Sequence, residues 1–270
     1  NLSFMFFMKG KTSSILYVST FPPRECGIAT FTRDIVTSMD KAFSPHVKSQ
    51  VIAMNNDVTN IYNYPNEVIA QINDSDLQEY IDTAKKINHN DNIKLVNIQH
   101  EFGIFGGEYG SYLIAFMEII NKPMVITFHS VLPSPNDKLK KVVQALAEKC
   151  VSIVVMTNTA IDILKNDYSI TKPMELIPHG IPTAEYVQSH KKKAKMNFHK
   201  KTILSSFGMM NPGKGYEHVL EALPKVIEKY PNVLYIIIGE THPVIRQKEG
   251  EQYRNMLQDR IKELGIQKHA

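Results

Sequence analysis

Three histidines stand where short apolar runs of the chain give out: His100 in Ile98-Gln99-His100-Glu101, His129 in Thr127-Phe128-His129-Ser130 and His179 in Ile177-Pro178-His179-Gly180. An imidazole titrates near neutrality, so it can accept, donate or move a proton, or ligate a metal. His100, Glu101, His129 and His179 would supply a metal set. No His-Glu-x-x-His or comparable spacing supports one, and no metal is expected. His129 is the candidate catalytic residue. His100 and Glu101 are acceptor-side candidates, with plain hydrogen bonding at strand ends as the simpler account of His100 and His179.

Two small-residue turns offer a different chemistry. Phe21-Pro22-Pro23-Arg24-Glu25-Cys26-Gly27 and Gly208-Met209-Met210-Asn211-Pro212-Gly213-Lys214-Gly215 each follow an apolar run and lead into a helical pattern. At such a turn the backbone N–H groups and the positive end of the helix can approach an anion. Gly27, Gly208 and Lys214 are therefore candidates for a phosphate site, although Gly27 could simply meet the backbone needs of a βα turn. Neither segment has Walker A or Gly-x-Gly-x-x-Gly spacing. Glu240, after the next apolar run, is a candidate to contact a nucleotide resting against that strand end. Gly106 and Gly107 lie in the glycine-rich segment Phe102–Gly110, read as a flexible loop that could close over an acceptor.

These residues need a scaffold with its strand ends on one rim. Apolar runs at Ile15–Ser19, Val51–Met54, Leu95–Ile98, Met124–Phe128, Val151–Met156 and Met174–Ile177 fit strands buried on both faces. Helical patterns alternate with them at Thr30–Met39, Ser75–Ile87 with a Ser75/Gln78 capping box, Pro135–Lys149 and Thr159–Lys165. Alternation of this kind predicts a parallel, doubly wound α/β sheet with ligands at the carboxyl ends of its strands. The lysine-rich segment Ser189–Lys201 reads as a linker. Beyond it, Ile203–Phe207, a helix over Tyr216–Lys229 and Val233–Ile238 begin a second βαβ unit, with Leu264-Gly265-Ile266 ending a helix before another strand. The expected domains are thus 1–198 and 199–270, the second stopping before its sheet is complete.

At 270 residues, with 43% hydrophobic and 21% charged, the chain has room for two globular domains. Cys26 and Cys150 cannot form a disulfide framework, and a reducing cytoplasm is expected. A balance of 31 basic against 27 acidic residues gives no reason to expect nucleic acid. The apolar opening Asn1–Met8 reads as a leader or appended extension, too short to span a bilayer. Lysine clusters at Lys138–Lys141 and Lys191–Lys195 raise the expectation of a peripheral contact with the inner membrane face, against the plainer account of solvated faces.

The ordered set Ser19-Thr20-Phe21-Pro22-Pro23 with Cys26-Gly27, Thr127-Phe128-His129-Ser130, Ile177-Pro178-His179-Gly180 and Phe207-Gly208-Met209-Met210-Asn211-Pro212-Gly213-Lys214-Gly215 resembles the family 4 (group 1) retaining glycosyltransferases of GT-B architecture. The resemblance runs from about Ser14 to the last residue. It implies two Rossmann-like domains facing across a cleft, a nucleotide diphosphate sugar as donor substrate, a carbohydrate or lipid-linked acceptor, and no required cofactor or metal. It also implies roles: Gly27 near the donor phosphates and acceptor, His129 near the transferred sugar, and Lys214 on the diphosphate. Met209 stands where the family usually has an arginine, and the family's later Glu-x7-Glu motif is not reached before Ala270. Two other readings accompany it: a nucleotide-sugar epimerase of the same architecture, with Glu101 and Glu108 as rim acids, and a non-catalytic sugar- or nucleotide-binding module.

Overall fold

A computed structural model describes residues 13–56 and 62–270; the opening Asn1–Met8 lies outside them. Contacts divide the chain into two compact units after Pro182. The lysine-rich segment therefore goes with the second unit, whereas the sequence suggested a boundary at 198–199.

The first unit alternates strands and helices in the order β1 (Ser13–Ser19), α1 (Gly27–Phe43), β2 (Val47–Asn55), β3 (Val68–Asn73), α2 (Leu77–Asn88), β4 (Ile93–His100), α3 (Tyr112–Ile119), β5 (Met124–Phe128), α4 (Asp137–Lys149), β6 (Ser152–Val155), α5 (Asn158–Asn166) and β7 (Met174–Leu176). All seven strands pair in parallel, in the order β3-β2-β1-β4-β5-β6-β7. Connections leave β1 in one direction and β4 in the other, which makes the carboxyl ends of these neighbours the topological switch point. Two expectations need correcting. Strand β3 and helix α3 were not foreseen, and the cap of α2 is Asp76, whose carboxylate accepts from the Gln78 and Glu79 N–H groups. Ser75 instead donates to Asp74.

Alternation along the strands sorts the core onto two faces. Leu16 and Val18 of β1 join Ile52, Met54, Val96 and Ile98 in a cluster closed by α2, α3, α4 and α5. Tyr17 points the other way, with Val51 and Ala53, onto Val36 of α1. On that second face β4 is polar: Asn97 pairs in register with Tyr17, and Gln99 with Thr127 of β5. Gln99 is nevertheless fully buried.

The second unit contains α6 (Ser189–Lys195), β8 (Thr202–Phe207), α7 (Tyr216–Lys229), β9 (Val233–Ile238), α8 (Pro243–Glu249) and α9 (Gln252–Glu263). Part of the expected linker is thus helical. Strands β8 and β9 form a parallel pair, and Tyr216, Leu220 and Leu223 of α7 pack with Val233, Tyr235, Tyr253 and Leu257. Helix α9 ends in a left-handed Gly265, φ +67°, as the Leu264-Gly265-Ile266 pattern suggested. No strand follows it among the described residues.

Candidate functional site

The candidate residues fall into two groups, one in each unit. In the first unit they gather around the switch point. His129 follows β5 directly, and its Nε2 lies 2.8 Å from the side-chain oxygen of Gln99. The Gln99 amide group donates in turn to Asn97 Oδ1 at 2.5 Å and Thr127 Oγ1 at 3.5 Å. Phe31 of α1 sets its ring edge-on to His129, centroids 4.7 Å apart, and also meets His179 at 4.9 Å. Burial pulls the His129 pKa down to about 4, helped by the nearby His179. At neutral pH the ring is uncharged, so it acts as a hydrogen-bonding group with one donor and one acceptor.

His100, the neighbouring candidate, is not presented to a ligand. Its ring is fully buried among Phe102, Phe105 and Phe128, stacked on Phe105 with centroids 5.8 Å apart. Neither ring nitrogen has a hydrogen-bond partner among the described residues. Burial, with a smaller contribution from His129, pushes its pKa down to about 3. Glu101 is held by the backbone N–H of Phe102 at 3.0 Å and by the Ser130 hydroxyl at 2.5 Å. These two bonds orient its carboxylate and tie it to the residue after His129.

The glycine-rich segment is packed, contrary to the flexible loop expected from its composition. Ile104 and Phe105 are buried, the Gly106 N–H donates to the Tyr80 hydroxyl at 3.0 Å, and the Gly106 carbonyl accepts from the Tyr112 N–H at 3.1 Å. A side chain at Gly106 would overlap the Asp74 carbonyl, and one at Gly107, φ +76°, would strike Ser111 and Tyr112. Both glycines serve close backbone packing.

Gly27 opens α1, and its surroundings differ. A Cβ there would meet nothing within 4 Å, and its φ is not in the left-handed range. The helix start carries no side-chain cap from Cys26 and no acidic residue in its first turn. Free N–H groups and an open approach are what an anion needs at a helix end. Arg24, just before it, escaped the sequence reading: it is only 9% exposed and donates to the Met54 carbonyl at 2.6 Å. A buried arginine in a βα turn has no sequence signature that separates it from a solvated one.

In the second unit, β8 and β9 are followed directly by Gly208 (φ +132°) and Gly239 (φ +149°), where a Cβ on Gly239 would collide with the Gly208 carbonyl. Glycine at both ends lets the two exit segments touch and continue pairing through Met210 and Thr241. Lys214 closes a 3-10 turn, Pro212–Lys214, and Gly215 in the left-handed region then starts α7. The Lys214 side chain is exposed and forms no ion pair among the described residues. Glu217 in the first turn of α7 has its carboxylate taken by the Tyr253 hydroxyl at 2.5 Å. Glu240 is paired with Arg246 at 3.4 Å. A cavity of about 440 Å³ lies against β9, with Leu234, Ile236 and Leu257 in its lining, and touches none of the candidate residues. Among the described residues no three His, Cys, Asp or Glu side chains are grouped as a metal set. None of the described helices is long and apolar enough to cross a membrane.

Residues 188–270 match the family of glycosyl transferases group 1. The match covers most of the second unit, including Gly208 and Lys214. No curated protein sequence matches the chain. The chain's α/β fold, with its parallel sheets, is similar to GT-B glycosyltransferase structures. One is a trehalose-6-phosphate structure from E. coli bound with UDP-2-fluoro glucose, with a TM-score of 0.57, 13% identity, and coverage of 93% of this chain and 70% of that one. A second is an α,α-trehalose-phosphate synthase (UDP-forming) from Burkholderia xenovorans in complex with glucose-6-phosphate, with a TM-score of 0.57, 11% identity and coverage of 93% and 70%. The S. aureus MnaA–UDP co-structure is also similar, at TM-score 0.52, 12% identity and coverage of 90% and 66%. At such identities the likeness establishes fold, and chemistry has to be argued from the residues.

Proposed function

We propose that the chain is a retaining glycosyltransferase that moves a hexose from a nucleotide diphosphate sugar to a carbohydrate or lipid-linked acceptor. The observation that carries this reading is the group 1 match over the very segment where Lys214 stands exposed, with no ion pair among the described residues, before the start of α7. Breaking the bond between the anomeric carbon and the diphosphate oxygen leaves negative charge on the diphosphate. A lysine and the amides of a helix start stabilise that charge where it develops. The acceptor oxygen forms the new bond to the anomeric carbon, and its proton passes to the departing phosphate oxygen. Within the first unit, neutral His129 is the proposed partner of a sugar hydroxyl, and the uncapped start of α1 at Gly27 offers its amides to a phosphate or an acceptor. No metal or cofactor is assigned to these steps, and Gly208 and Glu240 complete the donor side of the proposed site.

The known contents of the similar structures make UDP-glucose and glucose-6-phosphate the first donor and acceptor to try. A cytoplasmic setting and a peripheral contact with an anionic membrane face belong to the same proposal. The lysines of α6 suit that contact because the helix buries none of its residues. The lysines of α4 suit it less, since Lys138 is already paired with Glu108 at 3.0 Å.

Replacing Lys214 by alanine is expected to weaken binding of UDP by roughly 10- to 100-fold, the cost of one charge-assisted contact. Calorimetric titration with UDP measures this directly; unchanged affinity removes Lys214 from the diphosphate site. His129→Ala is expected to lower turnover at least about tenfold while leaving the affinity for UDP within about twofold, because its proposed contact is to the sugar and not to the nucleotide. Equal losses in both quantities would point to a structural role instead.

A further inference from the structure

His129 could carry its single proton on either ring nitrogen, and the choice decides whether its free nitrogen accepts or donates a hydrogen bond. The surroundings make that choice. Gln99 sits on β4 in register with Thr127, on the face of the sheet that α1 covers, and has no exposure to solvent. Its amide group is turned toward two oxygens, Asn97 Oδ1 and Thr127 Oγ1, which leaves its own oxygen toward His129 Nε2 at 2.8 Å. An oxygen in that place accepts and cannot donate, so Nε2 must hold the proton. Phe31 meets the ring edge-on, with centroids 4.7 Å apart. Among the described residues no hydrogen bond reaches Nδ1.

From this geometry we infer that Gln99 is a positioning residue that fixes the tautomer of His129, placing the proton on Nε2 and offering Nδ1 as the acceptor for a ligand hydroxyl. The role of that acceptor in sugar transfer rests on the function proposed above; the tautomer does not. An acceptor at Nδ1 takes a hydrogen bond from a hydroxyl of the substrate and repels a ligand oxygen that has no proton. The chain thereby selects a hydroxyl at that point over an ether or a carbonyl. The charged or titratable groups around His129 are His100 at the end of β4, His179 beyond β7, and Glu101, bound to Ser130. None of them makes a hydrogen bond to the His129 ring that competes with Gln99.

The test is nitrogen NMR of the full chain labelled at histidine, with the His129 signals assigned by their loss in His129→Gln. At pH 7 the ring is expected to be neutral, with a protonated Nε2 and a bare Nδ1. Gln99→Met is expected to abolish the preference and give a tautomer mixture. Gln99→Glu, which sets a carboxylate against the same nitrogen, is expected to raise the pH at which the ring becomes doubly protonated by at least about one unit. A proton on Nδ1 in the unaltered chain, or a mixture there, overturns the assignment, as does an unchanged tautomer in Gln99→Met. Should one variant fail to fold, the other still reads the Gln99 contact, through the tautomer in Gln99→Met or the titration in Gln99→Glu. A chain with the expected tautomer that transfers no sugar would count against the proposed function and leave the role of Gln99 standing.

Discussion

Gly106→Ala is expected to unfold the first unit or destabilise it by more than about 4 kcal/mol, a range reached only when a substitution forces backbone apart or breaks a buried network. The added methyl would occupy the space of the Asp74 carbonyl oxygen and come within 2.7 Å of its carbon and 2.8 Å of the Tyr112 ring. Backbone cannot yield there cheaply, because both polar groups of Gly106 are committed, its N–H to the Tyr80 hydroxyl and its carbonyl to the Tyr112 N–H. The Tyr80 hydroxyl itself donates to the Asp74 carbonyl at 3.3 Å. One methyl therefore disturbs the anchor of β3, the start of α2 and the approach to α3 together. Gly103→Ala provides the contrast: a Cβ there meets nothing within 4 Å, and a change within about 0.5 kcal/mol is expected. Thermal unfolding of the two variants compares them; similar melting temperatures would mean that the glycine-rich segment is loose after all.

Acid should destabilise the first unit through His100, fully buried, and the partly buried His129. Both have a native pKa below the ordinary value of 6.5, about 3 for His100 and about 4 for His129, and burial is the main cause in each case. Between pH 6.5 and those values the unfolded chain holds protons that the native chain refuses. Stability is then lost as pH falls, by about 1.4 kcal/mol per pH unit for each group while it lies within its window. Above pH 6.5 both states are neutral at these sites, and the two histidines contribute no slope. His100→Leu should flatten part of the acid limb, because an apolar side chain in the Phe102, Phe105 and Phe128 cage has nothing to protonate. Stability near neutrality should hold or rise, since the substitution also removes two buried nitrogens that lack partners among the described residues. Denaturant unfolding from pH 4 to 8 reads both effects. An unaltered acid slope in His100→Leu would show that the ring is not desolvated in the folded chain.

The fold was most legible where hydrophobic period, caps and length agree. Met124–Phe128, Tyr216–Lys229 and Val233–Ile238 coincide with β5, α7 and β9 because each is bounded by proline, glycine or a polar break, although Pro224 stands inside α7. Strand β3 was not legible, since Val68–Asn73 is a half-exposed edge whose apolar/polar alternation is broken by Ile69, apolar yet exposed. Helix α3 hid for the opposite reason: Tyr112–Ile119 is apolar nearly all round, so no helical stripe stands out against a buried run. The candidate site divides in the same way. The position of His129 just after a strand and of Lys214 just before a helix could be read from the sequence. What surrounds them could not, because the aromatic cage that removes His100 from any ligand and the Gln99 contact to His129 depend on strand register across β4 and β5. Composition misled at Gly106 and Gly107, where glycine serves close packing.

The central claim is transfer of a sugar from a nucleotide diphosphate donor, and it is tested most directly by following release of UDP from UDP-glucose with and without glucose-6-phosphate or another sugar acceptor. Release is expected to accelerate when an acceptor is added, with a glycosylated product that keeps the anomeric configuration of the donor, and both are expected to fall markedly in Lys214→Ala. Tight binding of UDP-glucose with no release under any acceptor, or interconversion of the nucleotide sugar with no acceptor present, would contradict it.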